Sequence, residues 1–275
     1  MIVDSHQHFW RLGRFDYPWM TPDLGVLYRD YLPETLEPIL NRSGVSKTVL
    51  VQASNSLEET KWLLALSDKY EFIGGVVGWV DLTSSSVTTQ IDEFTRYPKF
   101  KGVRHLIESE PADDWLVRGD VLSGLKALED RDVSYDLLVH TRHLKHVPTV
   151  AQMFPNLRLV IDHLAKPPIA KTEIEEWKAV FQSLAQFQNI SCKLSGMVTE
   201  ANHASWKTDD LRPYVATALE SFGVERLMFG SDWPVCLLAA SYERVLESAQ
   251  GLVSDLEMDS QTQIFAANAV DFYKL

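Results

Sequence analysis

The 275-residue chain is 45% hydrophobic, enough for an ordinary globular core, and is long enough for two small domains or one large barrel. Its formal net charge of −12 argues against nucleic acid, which needs clustered Lys and Arg to neutralise phosphates, and against an anionic membrane surface. A small anionic substrate stays compatible, because a pocket can be locally basic.

The first predicted strand covers residues 2–9 and carries His6 and His8. Residues i and i+2 of a strand share a face, so the two imidazoles point the same way. On its own such a pair is either a ligand pair or two histidines hydrogen-bonded within a half-buried strand. Residues 11–31 follow as a polar and aromatic segment, too long for an ordinary strand-to-helix connection. Its Phe15, Tyr17 and Trp19, with Trp10 before them, wall a pocket or pack on the surface. A short helix spans 33–40, and the β-branched run at 47–53 is a second strand. Ser56-Leu57-Glu58-Glu59 is a capping-box pattern that opens a helix to residue 70. Residues 72–80 form a third strand, with a helix at 86–97 behind it. The fourth strand covers 100–107 and precedes a helix at 115–131; the fifth covers 134–140 and precedes one at 144–154. A sixth strand at 157–163 leads to a second capping box, Thr172-Glu173-Ile174-Glu175, and a helix to residue 187. The seventh strand, 190–194, precedes a helix at 211–222. The eighth, 226–229, runs into Gly230-Ser231-Asp232-Trp233-Pro234. Helices at 241–256 and 261–273 close the chain.

Apolar strands alternating with helices predict an α/β protein with a parallel sheet covered by helices. Eight such units in roughly 250 residues match a (β/α)8 TIM barrel. A doubly wound open sheet competes, but it commonly carries Gly-x-Gly-x-x-Gly after the first strand, where this chain has His-Gln-His-Phe-Trp. No internal repeat or low-complexity linker divides the chain, so a single catalytic domain over residues 1–275 is expected. Cys192 and Cys236 lie outside any Cys-x-x-Cys motif, which fits a reducing compartment. The N-terminus lacks the basic and apolar regions of a signal peptide, and no apolar run reaches the roughly 18 residues of a membrane helix. A cytoplasmic protein is expected.

The C-terminal ends of barrel strands form the active-site face. Those ends supply His6 and His8 from strand one, Arg104, His105 and Glu108 from strand four, and His140 from strand five. Strand six supplies His163, strand seven Lys193 or Ser195, and strand eight Asp232. Five of the chain's eight histidines therefore fall on one rim, a stronger signal than His-x-His alone. Three imidazoles and a carboxylate build a mononuclear zinc site with an open position for water. The expected nitrogen ligands of this one divalent metal are His6, His8 and His140. Asp232 binds the metal, takes a proton from its water, or does both. His163 is then a neighbouring partner or proton shuttle. Arg104 either binds substrate or pairs with Glu108 or Asp136 in the barrel wall. Lys193 either contacts substrate or forms a structural ion pair. Neighbours on a strand alternate, so only one of Arg104 and His105 faces the interior; of Asp162 and His163, His163 is expected inward.

Five stretches carry a family resemblance: Val3-Asp4-Ser5-His6-Gln7-His8-Phe9-Trp10, Gly102-Val103-Arg104-His105, Asp162-His163-Leu164-Ala165-Lys166-Pro167, Lys193-Leu194-Ser195-Gly196 and Phe229-Gly230-Ser231-Asp232-Trp233-Pro234. Together they resemble the lactonase branch of the amidohydrolase superfamily, across the whole chain. The resemblance implies an amidohydrolase-type barrel that opens a small-molecule lactone to the hydroxy acid. A sugar lactone such as L-fuconolactone or L-rhamnonolactone is the expected substrate. The alternatives are a muconolactone-type dicarboxylate lactone, metal-dependent decarboxylation on the same scaffold, and an inactive binding barrel. Many binuclear members carry a carboxylated lysine at the end of strand four. Here Lys101 lies at the start of that strand, so a bridged two-metal centre is not expected. Within the branch the metal requirement differs among members. Polyhydroxylated rings are held by planar polar groups and aromatic faces, which makes Gln7, Trp10, Asn55, Trp79, Glu108 and Trp233 candidate substrate contacts, with Lys193. A dicarboxylate would need several converging arginines, and the rim offers mainly Arg104, with Lys166 and Lys193. The expected chemistry makes Asp232 the general base toward water, later returning its proton to the ring oxygen. The oxyanion is held by the metal, or by the histidines and Arg104.

Overall fold

Residues 1–275 are all described by the computed structural model. Eight parallel strands lie side by side in sequence order: β1 (Ile2–Gln7), β2 (Val45–Val51), β3 (Ile73–Gly78), β4 (Phe100–His105), β5 (Ser134–Leu137), β6 (Leu159–Ile161), β7 (Ile190–Leu194) and β8 (Leu227–Phe229). Most are β-branched and apolar, as strands with both faces covered must be. The ends of the sheet meet just past β1 and β8. His8 N–H donates to Trp233 O at 2.7 Å, and Asp232 N–H donates to His6 O at 2.8 Å. The result is a nearly closed (β/α)8 barrel, the expected fold. No helix is long and apolar enough to cross a membrane. Both cysteines are buried and unpaired.

Local chemistry explains where the element boundaries depart from expectation. Helix Leu57–Lys69 starts at Ser56, whose hydroxyl accepts from Glu59 N–H at 3.2 Å. Only half the capping box forms. The Glu59 carboxylate instead accepts from the N–H groups of Ala53 (3.0 Å) and Ser54 (2.9 Å), just past β2. The second capping box is absent: Thr172 has φ 57° and ends a 3-10 turn, and the helix runs only over Glu175–Leu184. Strands β5, β6 and β8 hold just 4, 3 and 3 residues, so the chain leaves the sheet before His140, His163 and Asp232. After β6 the backbone turns left-handed, with φ between 51° and 61° from His163 to Lys166. A β ladder cannot continue through such angles.

The aromatic segment 11–31 is pinned at its ends. Trp10 and Tyr31 exchange two backbone hydrogen bonds of 3.0 Å. Trp10 Nε1 also donates to Arg29 O at 2.8 Å. Its ring is fully buried against Trp19 and Tyr31, a burial worth on the order of 2–3 kcal/mol. The segment thereby brings Trp19 over the C-terminal ends of the strands, where Trp19 Nε1 donates to Ala53 O at 2.8 Å.

Inside the barrel the residues change character along the axis. Val3, Val49, Val51, Val77, Val160 and Met228 pack with Phe272 and Tyr273 as an apolar plug. The last two come from the C-terminal helix Asn268–Tyr273. Toward the C-terminal strand ends the interior becomes charged. Lys193 exposes none of its side chain and lies 2.5 Å from Asp136 and 2.9 Å from Asp162. Tyr273 closes this layer from beneath, its hydroxyl donating to Asp136 at 2.7 Å.

Candidate active site

Four side chains converge above the charged layer. His6 and His8 come from the end of β1, and their Nε2 atoms are 3.1 Å apart. Asp232 Oδ1 lies 3.8 Å from His6 Nε2 and 3.4 Å from His8 Nε2. His163 Nε2 stands 3.8 Å from the same oxygen. All four residues are buried. Asp232 (φ 57°) and His163 (φ 54°) both have left-handed backbones, uncommon for non-glycine residues and concentrated at functional sites. Two glycines make room for the rings. A Cβ on Gly196 would sit 2.6 Å from the His163 ring, and one on Gly230 would sit 2.7 Å from His6 Cβ.

Hydrogen bonds orient each imidazole. His8 Nδ1 lies 2.8 Å from Val51 O; a carbonyl only accepts, so Nδ1 carries the proton and Nε2 presents a lone pair. His6 Nδ1 lies 3.3 Å from Asp162 Oδ1 and 3.1 Å from Lys193 Nζ. His163 Nδ1 is 2.8 Å from Ser195 Oγ. Burial lowers the pKa of all three rings, His163 to about 4 and His6 well below the ordinary imidazole value. They are therefore neutral near pH 7. Burial alone would raise Asp232, but the surrounding imidazoles, His163 first, more than offset it and hold the carboxyl below its ordinary range.

The donor set fits a metal. His6 Nε2, His8 Nε2 and Asp232 Oδ1 form a triangle with edges of 3.1, 3.4 and 3.8 Å. Ligand atoms at the usual zinc distances of about 2.0–2.1 Å stand roughly 3.3 Å apart in a tetrahedral site. Two neutral imidazoles and one carboxylate are ordinary ligands for such an ion. His6, Asp162 and His163 form a second, overlapping group of the same kind.

Other expected residues are placed elsewhere. His140 does not join the cluster. Beyond the short β5 it sits at the rim with 38% of its side chain exposed, its Nε2 3.6 Å from Glu108 Oε2. The neighbouring position expected for it is taken by His163. Arg104 faces inward, but its partner is neither Glu108 nor Asp136. Its Nη1 lies 3.1 Å from Asp162 Oδ2 and 3.2 Å from His6 Nε2, and its Nη2 donates to Gln52 O. His105 faces away, stacked on Trp115 at 3.9 Å and hydrogen-bonded to Trp79 Nε1 (3.0 Å) and Glu110 (2.7 Å). Trp79 is thus spent on His105. Lys193 belongs to the sealed layer below. Gln7 is buried, its Nε2 donating to Thr48 at 3.1 Å. Trp10 and Trp233 are fully buried against Tyr31. Asn55 accepts from Leu106 N–H at 3.2 Å.

A cavity of about 140 Å³ opens over the cluster. His8, Arg104, His163 and Asp232 line it together with Trp19, Leu106, Glu108, Leu138, Lys166 and Thr199. Of the expected substrate contacts, Glu108 and Arg104 reach it, and Trp19 of the aromatic segment walls it. Sequence reasoning missed Asp162, which faces inward alongside His163. Strand alternation does not apply to this pair, because β6 ends at Ile161 and His163 is left-handed. A lone carboxylate closing the apolar run Leu-Val-Ile was the available signal. Lys166, Asp136 and Ser195 were similarly under-read.

The Amidohydrolase family profile matches residues 3–275. The chain is 39% identical over 279 residues to L-fucono-1,5-lactonase of Burkholderia ambifaria, covering 99% of this chain and 95% of that protein. It is 40% identical over 257 residues to L-fucono-1,5-lactonase of Burkholderia multivorans, covering 88% and 85%. A crystal structure of an amidohydrolase from Burkholderia multivorans with bound zinc matches with a TM-score of 0.95 at 37% identity, covering 100% of this chain and 99% of that one. With a profile spanning nearly its whole length and relatives this similar, the chain belongs to the amidohydrolase family.

Proposed function

We propose that this chain hydrolyses a sugar lactone of the L-fucono-1,5-lactone kind to its hydroxy acid. The observation that carries this reading is the buried triangle of His6, His8 and Asp232 on the floor of a small-molecule cavity. Two relatives named as L-fucono-1,5-lactonases support the substrate class. So does the pairing of charges. Arg104 faces Asp162, Lys193 faces Asp136 and Asp162, and Lys166 faces Glu108. Each of these cations already faces a carboxylate, so none offers an unbalanced positive charge to the carboxylates of a dicarboxylate lactone.

His6, His8 and Asp232 are the residues that would hold one divalent metal; the related amidohydrolase structure contains zinc. Bound there, such an ion supplies Lewis-acid stabilisation of charge developing on the carbonyl oxygen. Asp232, ionised at neutral pH, accepts a proton from the attacking water as the new C–O bond forms. Arg104 is pre-set for the resulting oxyanion, because Asp162 and Gln52 O already fix its guanidinium and little reorganisation is needed. His163 Nδ1 is 2.8 Å from Ser195 Oγ, and in the tautomer that donates Nδ1–H to this hydroxyl Nε2 is bare at 3.8 Å from Asp232 Oδ1. That nitrogen takes the proton from Asp232 and delivers it to the ring oxygen as the acyl–oxygen bond breaks.

A pH-indicator screen of aldonolactones, run on metal-stripped and zinc-reloaded enzyme, tests the reading. Acid release from six-membered sugar lactones, restored by zinc, is expected. No release from any lactone overturns the function, and equal rates in both preparations remove the metal from the mechanism.

A further inference from the structure

Two charged side chains in the cavity play no part in the reaction above. Glu108 comes from the short turn after β4, Ile107–Ser109, and Lys166 from the left-handed turn after β6. Their charged ends are in direct contact. Lys166 exposes 20% of its side chain and Glu108 23%, and both line the cavity that holds His8, His163 and Asp232. An ordinary surface pair of this chain is far more open: Lys126 and Asp130 each expose 53%. Burial opposes both charges, yet Lys166 holds the Glu108 carboxyl below its ordinary value and Glu108 holds the Lys166 ammonium above its own, so both ends stay charged. Lys166 also sits at φ 51°, a backbone a lysine seldom adopts, and the same left-handed turn carries His163 to the cavity. The pair's remaining surface faces the substrate space.

We propose that Glu108 and Lys166 form the hydroxyl-binding subsite of this cavity, gripping adjacent hydroxyls of the sugar ring. The inference rests on the lactonase reading and names the side chains that recognise the sugar. A hydroxyl is both donor and acceptor. The Glu108 carboxylate accepts from one hydroxyl, and the Lys166 ammonium donates to its neighbour. Because the two charges cancel, the subsite suits an uncharged polyol; a lysine without a partner would instead attract a carboxylate. His140 Nε2, 3.6 Å from Glu108 Oε2, extends this polar edge toward the rim.

The test compares kcat/KM for a six-membered sugar lactone with that for δ-valerolactone, the same ring without hydroxyls. It uses wild-type enzyme, Glu108→Gln and Lys166→Met. A hydrogen bond to a charged group is worth roughly 10- to 100-fold, so the sugar-to-valerolactone ratio should fall by about that factor in each variant. The ratio is taken within one preparation, so a misfolded fraction cancels. An unchanged ratio overturns the subsite, whatever happens to the absolute rates. Wild-type enzyme that fails to prefer the sugar lactone overturns it as well. Wild-type enzyme that hydrolyses neither compound defeats the lactonase reading and takes the subsite with it.

Discussion

Two lysines reach the interior of this barrel in opposite circumstances. Lys193, on β7, exposes none of its side chain and is enclosed by Asp136, Asp162 and His6. Lys166 touches Glu108 but keeps 20% of its side chain open to the cavity. Each charge is paired, so charge alone does not tell them apart. What differs is the far side of each pair. Around Lys193 there is only protein, and no ligand can reach it. Its effect passes through Asp162 to the ring of His6 and to Arg104. Beside Lys166 there is space for a small molecule. Position at a strand end makes both lysines look like substrate contacts; burial separates the one that positions from the one that can bind.

The largest expected effect breaks the sealed side of this comparison. Lys193→Met leaves Asp136 buried without a cation and Asp162 with Arg104 alone, although burial has already pushed Asp136 up to about 6. Removing one member of a buried ion cluster costs about 3–5 kcal/mol. Urea unfolding should show that loss for Lys193→Met, and a change of no more than about 1 kcal/mol for the partly exposed Lys166→Met. Equal midpoints for the two variants would erase the distinction. Asp232→Asn should behave in the reverse sense, with turnover reduced at least roughly 100-fold and unfolding close to wild type. Near-normal turnover in that folded variant would take the general base away from Asp232.

The same contrast explains how much of the molecule was legible in the sequence. The eight strand–helix units show as β-branched runs separated by amphipathic segments, and that pattern depends only on local sequence. His6 and His8 are legible for the same reason: two residues on one strand share a face by geometry. The remainder of the site depends on backbone that is no longer strand. His140 and His163 close similar apolar runs. One backbone continues outward to the rim, while the other turns left-handed and folds back over the axis with Lys166 behind it. Nothing in Asp-His-Leu-Ala-Lys announces four left-handed residues, none of them glycine. The buried charges are equally hard to read, because Arg104, Asp136 and Lys193 come from three different strands and Asp162 from the turn after a fourth.

A third kind of buried charge sharpens the comparison further. Glu59 is buried with no cation in contact, and the N–H groups of Ala53 and Ser54 serve its carboxylate. Burial pushes its pKa from 4.5 up to about 7, the two backbone hydrogen bonds opposing. The folded value lies above the unfolded one, so the associated stability is fully present below about pH 4.5 and is lost as pH rises through about 7. Glu59→Gln keeps an acceptor and removes the titration. Thermal melts from pH 6 to pH 8.5 should show wild type losing a few degrees relative to the variant. Parallel profiles would mean that Glu59 titrates normally despite its burial.

The smallest expected effect concerns the metal. His140 stands three residues past the end of β5, a distance of up to about 10 Å along an extended chain. Its Nε2 is committed to the neighbourhood of Glu108, not to the triangle of His6, His8 and Asp232. After reloading and dialysis, His140→Ala should retain the same zinc per protein as wild type, while His6→Ala and His8→Ala should lose it. The metal measurement is independent of turnover, so a modest change in sugar binding at the rim does not confuse it. Zinc lost from His140→Ala to the same degree as from His6→Ala would restore the strand-five ligand. The metal would then lie nearer the rim, on the side of the cavity where Lys166 and Glu108 stand.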